Sequence, residues 1–265
     1  MPRMLSRVSA SVGKASLLLV IFFGAVGVGV ATAAGGGGAG GATTASRRSK
    51  ELAKEQAPPG RLPTAVVVYR VQRRYDAAQD FRADFNQTLT SQAMNRQTRS
   101  AGEVLLKKPG LMRWNYRTPE ARMYLSDGAL LWLYEPEDAQ AFKQDLKSSQ
   151  LPAALAFLTG TGKLAEQFEI ETVPRTDPDS SKFGNPRDYL LALHPRQAQP
   201  QIKSILFVVE PDTFEVRETV ITDAQGNQND VLFSNIRTNT LIPASTFRFT
   251  PPAGVRVIDT ARLAK

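Results

Sequence analysis

The stretch 104–136 constrains the fold most, because it combines large aromatic residues with the spacing of β-strands and with turn signals. It contains the chain's two tryptophans and three of its six tyrosines. Three turn pairs interrupt its apolar runs: Pro109-Gly110, Thr118-Pro119 and Asp127-Gly128. Turn pairs between alternating runs are typical of consecutive antiparallel strands. The sequence therefore predicts an antiparallel meander in this stretch.

Alternation along the predicted strands assigns these large residues to faces. The first strand places one set together: Met112, Trp114 and Tyr116. A later strand places a second set together: Leu130, Trp132 and Tyr134. Because the opposite face of that later strand carries Leu131 and Leu133, we predict that it is buried on both sides. We interpret the rings of both sets as one aromatic wall.

The flanking segments predict further strands and a few short helices. Thr64 is expected to cap a helix that ends near Tyr75. From Phe81 the apolar period changes to two, which is typical of a strand. That strand presents one alternating set of side chains: Phe81, Ala83, Phe85 and Gln87. Residues 151–158 predict a short helix that is apolar almost all round and must be covered.

The remaining alternating runs predict a sheet that continues almost to the C terminus. A short strand is expected at 247–249, followed by a Pro-Pro break and a last extended piece. We count about eleven strands and two or three helices, which favours an α+β fold that is mainly β. A meander of this kind predicts a strongly curved antiparallel sheet or an open barrel.

The N-terminal region is typical of an exported protein. Three basic residues precede the apolar run 15–31: Arg3, Arg7 and Lys14. The run ends in Ala31-Thr32-Ala33, a small-x-small cleavage pattern, so we predict a signal peptide over 1–34. The alternative is an uncleaved membrane anchor.

A linker separates this segment from the folded region. Residues 35–63 are rich in Gly and Pro and cannot bury enough apolar surface to fold, so they predict a flexible tether. Residues 64–265 form the predicted domain.

Composition argues against several classes of function. The net charge is +8, but no run of Lys or Arg exceeds two residues, so we interpret the charge as a solvated surface rather than a nucleic-acid site. The chain has no Cys, which excludes disulfides, thiolate metal sites and a lipidated Cys. The single histidine, His194, offers no metal cluster and no catalytic triad pattern. We expect no metal, no cofactor and no enzymatic activity.

A large apolar and aromatic surface remains to be explained. It is either an ordinary core or the lining of a hydrophobic cavity beneath the helix 151–158, suited to a ligand with acyl chains.

Four motifs occur in order along the folded region. The first two are F-x-x-x-F-x-Q at 81–87 and G-x-x-x-x-K-[RK]-P-x-x-x-x-W-x-Y at 102–116. The others are S-D-G-x-x-L-W-x-Y-x-P at 126–136 and F-x-F-T-P-P-x-G-V at 247–255. In this combination the chain resembles the LolA family of periplasmic outer-membrane lipoprotein carriers. The resemblance does not cover residues 1–63.

The resemblance implies a fold and a function. The fold would be an incomplete antiparallel β-barrel with short helices as a lid over a hydrophobic cavity. The function would be that of a periplasmic chaperone in a Gram-negative cell, acting as a monomer without cofactor or nucleic acid. It would take triacylated lipoproteins from an inner-membrane ABC transporter and hand them to an outer-membrane lipoprotein receptor.

The resemblance also implies roles for particular residues. On matching positions, Met112 and Trp114 would line the cavity. From the aromatic wall and the preceding strand we predict that four further residues line it: Phe85, Tyr116, Trp132 and Tyr134. Lys108 stands where many members have an Arg that hydrogen-bonds the lid backbone, here at Leu155, Ala156 and Phe157. A lysine can donate such bonds but lacks the planar fork of arginine.

The alternatives to a lipoprotein carrier are another lipid-binding periplasmic module, such as a glycolipid carrier or an envelope-stress sensor, and a secreted hydrolase.

Overall fold

A computed structural model describes residues 61–145, 162–197, 199 and 202–260. In this part the chain forms one 12-stranded sheet. The predicted signal peptide, nearly all of the predicted linker and the predicted helix 151–158 lie outside the described residues.

The first six strands form a consecutive meander. Their bounds are β1 Asp80–Ser91, β2 Arg96–Lys107, β3 Leu111–Thr118, β4 Arg122–Ser126, β5 Leu130–Glu135 and β6 Gln140–Asp145. A second meander follows, with β7 Phe168–Thr172, β8 Tyr189–Pro195, β9 Ser204–Val209, β10 Val216–Thr222 and β11 Gln228–Thr238. The strand β12, Arg256–Asp259, pairs in parallel with β6.

The two meanders join where β1 pairs with β11, so the strand order of the sheet is β12-β6-β5-β4-β3-β2-β1-β11-β10-β9-β8-β7. Within the described residues β12 and β7 each have one neighbour, so the sheet is unclosed. The predicted fold class, a mainly β protein built on an open antiparallel sheet, is therefore confirmed. Shifts in register bend the sheet between Arg82 and Asp84 in β1 and between Ala101 and Gly102 in β2.

One helix, α1 (Thr64–Ala77), covers one face of the sheet, which we call the inner face. It buries Val67, Val68, Val71 and Tyr75 in the same apolar cluster as rings from β1, β3 and β11. β-Branched residues lower intrinsic helix propensity, so packing on the sheet must stabilise this helix. None of the helices in the described ranges is long and apolar enough to cross a membrane.

The start of α1 differs from the prediction in its cap. Pro63 occupies the cap position, and Thr64 is the first helical residue. The Thr64 hydroxyl lies 2.7 Å from the Thr172 hydroxyl, so it links the helix to β7 instead of capping α1.

The prediction of a short strand at 247–249 is wrong. A 3-10 helix occupies Ala244–Phe247, and Pro243 precedes it. Phe247 at its end is buried with Leu105 and Ile242 in a small cluster. Because Phe247 is anchored in that cluster, this segment forms a tight turn instead of an extended strand. A short helix, α2 (Leu164–Gln167), precedes β7.

Candidate functional site

A continuous row of aromatic rings runs from α1 across the inner face of the sheet. The centroids of successive rings lie 4.8–6.5 Å apart. In order, the row comprises Tyr75, Phe81, Phe233, Trp114, Phe85, Tyr116 and Tyr124. Aromatic pairs at these separations attract one another beyond the effect of burial alone. We call this set the aromatic row.

The register of the strands brings these rings together. Phe85 pairs with Phe233 on one side and with Gly102 on the other, and Gly102 pairs with Tyr116. Directly paired residues share a face of the sheet. A Cβ on Gly102 would lie 2.8 Å from the ring of Phe85, so the missing side chain leaves space for that ring. Gly102 is a part of the second motif that sequence reasoning had not interpreted.

Four of the predicted lining residues lie together on the inner face. Phe85, Met112, Trp114 and Tyr116 are each at most 5% exposed and belong to one cluster with α1. The structure therefore confirms that they share a face. Their role as the lining of a ligand cavity stays a prediction.

The other two predicted lining residues, Trp132 and Tyr134, lie on the opposite, outer face. Trp132 pairs with Leu125, whereas its neighbour Leu133 pairs with Tyr124 of the aromatic row. The ring centroids of Trp132 and Tyr134 lie 5.4 and 5.1 Å from that of Phe249.

Their assignment to the inner face is therefore wrong. The strand β5 is buried on both sides, as predicted, so alternation could not tell which side faces α1. The inner residues of β5 are Leu131 and Leu133.

Lys108 fixes one end of α1. Its Nζ donates hydrogen bonds to the carbonyl oxygens of Tyr75 and Asp76, at 2.7 and 3.0 Å. A cation at the C-terminal end of a helix pairs with carbonyls that lack helical partners and with the negative end of the dipole. The predicted partners, Leu155, Ala156 and Phe157, lie outside the described residues, so that contact stays a prediction.

A string of buried polar groups runs beside the aromatic row. The Tyr116 hydroxyl donates to Gln87 Oε1 at 3.0 Å, and Gln87 Nε2 donates to Asn229 Oδ1 at 2.9 Å. Burial raises the pKa of Tyr116, so its hydroxyl remains a donor. The prediction that Gln87 shares a face with Phe85 is confirmed, whereas Asn229 carried no signal that sequence reasoning used.

A second buried polar group lies on the outer face, beneath the loop 173–188. Gly184 N donates to Glu218 Oε2 at 2.9 Å, and Asp230 of β11 lies beside Glu218. Burial, and after it the charge of Asp230, raises the pKa of Glu218 to about 7. These groups hold a loop to the sheet and are remote from α1.

Groups typical of catalysis do not converge in the described residues. His194 lies on β8, half exposed, with its Nε2 3.5 Å from Glu171 Oε1 of the edge strand β7. The described ranges contain no group of three or more His, Asp or Glu residues that could hold a metal ion. The inner face offers apolar surface, a few neutral hydrogen-bonding groups and the guanidinium of Arg122, which lies 5.1 Å from the centroid of the Tyr116 ring.

Comparison with known proteins gives a consistent family. The family model described as "Outer membrane lipoprotein carrier protein LolA" matches residues 76–250, which include β1 to β11. An outer-membrane lipoprotein carrier protein of Pseudomonas aeruginosa is 30% identical over 201 residues, 74% of this chain and 88% of that protein. One from Chromobacterium violaceum is 27% identical over 177 residues, 67% and 80% of the two chains. The crystal structure of a LolA superfamily protein from Nitrosomonas europaea superposes with a TM-score of 0.40 at 11% identity, covering 71% of this chain and 99% of that one.

Proposed function

The chain belongs to the LolA family of outer-membrane lipoprotein carrier proteins, and we propose that it works in the periplasm on triacylated lipoproteins. It takes them from an inner-membrane ABC transporter and delivers them to an outer-membrane receptor. The observation that carries this proposal is the aromatic row on the inner face, which the amphipathic helix α1 covers.

The physics of acyl chains suits such a surface. Burying a methylene group gains about 0.8 kcal/mol, so about ten methylenes on each of about three chains would gain ~24 kcal/mol. That sum exceeds the practical limit of about 18–21 kcal/mol for non-covalent binding. A carrier that also releases its cargo must therefore use part of this energy for a conformational change that accompanies binding.

We propose that part of the binding energy is used to separate α1 from the sheet. In the empty protein α1 shields the inner face from water, and acyl chains replace its contacts when cargo binds. Lys108 holds the C-terminal end of α1 and acts as a hinge point for that movement. The apolar helix predicted at 151–158 would be a second cover. A ligand shifts such an equilibrium only by the difference in its affinity for the two states.

The proposal is tested by release of cargo from spheroplasts that lack their own carrier. Addition of the purified full-length chain should move a lipoprotein into the supernatant as a complex with the chain. The matched control is the same cargo with its lipidated cysteine replaced by serine, which should not copurify. If no cargo is released, or if unlipidated cargo binds equally well, acyl-chain carriage is wrong. Recovery of a glycolipid instead of lipoprotein would favour the glycolipid-carrier alternative.

A further inference from the structure

One buried amide on the inner face has a donor group without an acceptor. Asn229 is 1% exposed, and its Oδ1 accepts the hydrogen bond from Gln87. Its Nδ2 has no hydrogen-bond partner among the described residues. Buried polar groups in proteins are almost always paired, so an unpaired amide donor in an apolar surface needs an explanation.

In the structure, Asn229 Oδ1 faces Gln87 and the NH₂ group of Asn229 points away from it. The Tyr116 hydroxyl donates to Gln87 Oε1, which turns Gln87 Nε2 toward Asn229 Oδ1. With Oδ1 engaged in this way, the NH₂ group of Asn229 is the free end of the string. Tyr116 and Gln87 therefore act as positioning residues that hold a donor in place before any ligand arrives.

The side chains paired with Asn229 are apolar, and the guanidinium of Arg122 lies at the other end of the string, 5.1 Å from the centroid of the Tyr116 ring. The partners of Asn229 across the sheet are Leu89 of β1 and Ile221 of β10, and Val231 lies two residues further along β11. Ile221 and Val231 belong to the same cluster as the aromatic row. Burying a phosphate or carboxylate among such neighbours would be costly. A neutral oxygen acceptor, such as a carbonyl, matches this environment.

The position of Asn229 along the strand suits one end of a long ligand. Gln228 begins β11 directly after the turn from β10, so Asn229 lies at the end of the inner face. The rings of Phe85 and Phe233 lie further along the same pair of strands. A polar donor at the end of an apolar surface complements a molecule with a hydrocarbon chain and a carbonyl at its head.

We propose that Asn229 Nδ2 donates a hydrogen bond to an ester carbonyl oxygen of a bound acylglyceryl group, whose chains lie along the aromatic row. This inference rests on the proposed function, because it requires acyl chains on the inner face. It adds that the protein distinguishes ester-linked lipids from lipids of equal length that lack the carbonyl.

Two glyceryl lipids with equal chains, one linked by esters and one by ethers, test the inference on the purified full-length protein. The ester should bind about tenfold more tightly, since only the ester offers the carbonyl acceptor. In Asn229→Leu the ester affinity should fall to that of the ether, while the ether affinity stays within about twofold. The matched control is Val231→Ala, which should weaken both lipids together and keep their ratio.

The possible failures are distinguishable. If the wild-type protein binds both lipids equally, the carbonyl subsite is wrong and the proposed function stands. If Asn229→Leu keeps the wild-type ratio, Asn229 is not the donor and the inference is wrong. If neither lipid binds, both the inference and acyl-chain carriage are wrong. If Asn229→Leu does not fold, Asn229→Ala takes its place with the same expected loss of the ester preference.

Discussion

Two covers of the sheet, α1 on the inner face and the loop 173–188 on the outer face, are held in different ways. On the inner face α1 lies on the aromatic row through apolar side chains such as Val67 and Val71. On the outer face the loop 173–188 is tied down by directed bonds. Arg175 donates to the carbonyl oxygens of Phe183 and Asp188, and Gly184 N donates to Glu218.

This difference indicates which cover can move. Apolar contacts are non-directional and can be replaced by any other apolar surface, including a hydrocarbon chain. Buried hydrogen bonds have no such substitute, and breaking them leaves costly unpaired groups. We therefore expect α1 to exchange its apolar contacts with a lipid, whereas the loop 173–188 should stay in place.

The largest effect is expected from filling the space that the aromatic row needs. In Gly102→Ala the new Cβ would lie 2.0 Å from the backbone oxygen of Asn115 and 2.8 Å from the Phe85 ring. Because the backbone of Asn115 in the sheet is rigid, this overpacking should lower the free energy of unfolding by about 3 kcal/mol or more. Thermal denaturation measures this loss. The control is Gly110→Ala, where no atom lies within 4 Å and the cost is only that of a positive φ. Similar melting temperatures for the two variants would contradict the packing described for Gly102.

A matched pair of ring deletions compares the faces directly. Phe85→Ala on the inner face and Trp132→Ala on the outer face each remove a buried ring, and each should cost about 3–4 kcal/mol of stability. Only Phe85→Ala should also reduce binding of lipoprotein acyl chains, by about tenfold or more. Denaturant unfolding and a binding titration well below the melting temperature separate the two effects. Equal losses of binding in both variants would mean that the faces do not differ in function.

The acid pair on the outer face predicts a dependence of stability on pH. Because the pKa of Glu218 is raised from 4.5 to about 7, the folded protein keeps a proton there that the unfolded chain has lost. This contribution to stability is full below about pH 4.5 and disappears as the pH rises through 7. The melting temperature of Glu218→Gln should therefore fall less between pH 5.5 and pH 8 than that of the wild type. Lipid binding should not change, since Glu218 lies on the outer face. Parallel pH profiles for the two proteins would contradict the burial of this carboxyl group.

The smallest effect is expected at the end of α1. Lys108→Leu removes the hydrogen bonds to the carbonyl oxygens of Tyr75 and Asp76, which should cost about 1 kcal/mol. Hydrogen exchange of the last turn of α1 should accelerate, because that turn then opens more often. The variant Lys107→Leu, at the neighbouring position, is the control and should leave this exchange unchanged. Equal acceleration in both variants would show that Lys108 does not secure the helix.

The sequence predicted the inner residues of β3 because that strand alternates cleanly. Met112, Trp114 and Tyr116 alternate with less buried residues, so their common face follows from the period of a strand. Reasoning from alternation failed for Trp132 and Tyr134, because β5 is apolar on both faces. Only the register with β4, which places Leu133 beside Tyr124, identifies the inner side of β5.

Polar residues of the inner face were harder to predict than apolar ones. Gln87 was found because it belongs to a motif that continues the alternation of Phe81 and Phe85. Asn229 precedes an aspartate in a polar stretch, and nothing local distinguishes a buried amide there from a solvated one. Its burial depends on β1 and β10 pairing on either side of β11, which is information that the local sequence does not contain.

The central claim, that acyl chains occupy the inner face, can be measured with the two tryptophans of the chain. Trp114 lies in the aromatic row and Trp132 on the outer face, so each single-tryptophan variant reports on one face. A lipid with brominated acyl chains quenches indole fluorescence on contact. We expect it to quench Trp132→Phe, which retains Trp114, and to leave Trp114→Phe, which retains Trp132, essentially unquenched. Quenching of Trp132 alone, or of both indoles equally, would contradict the account.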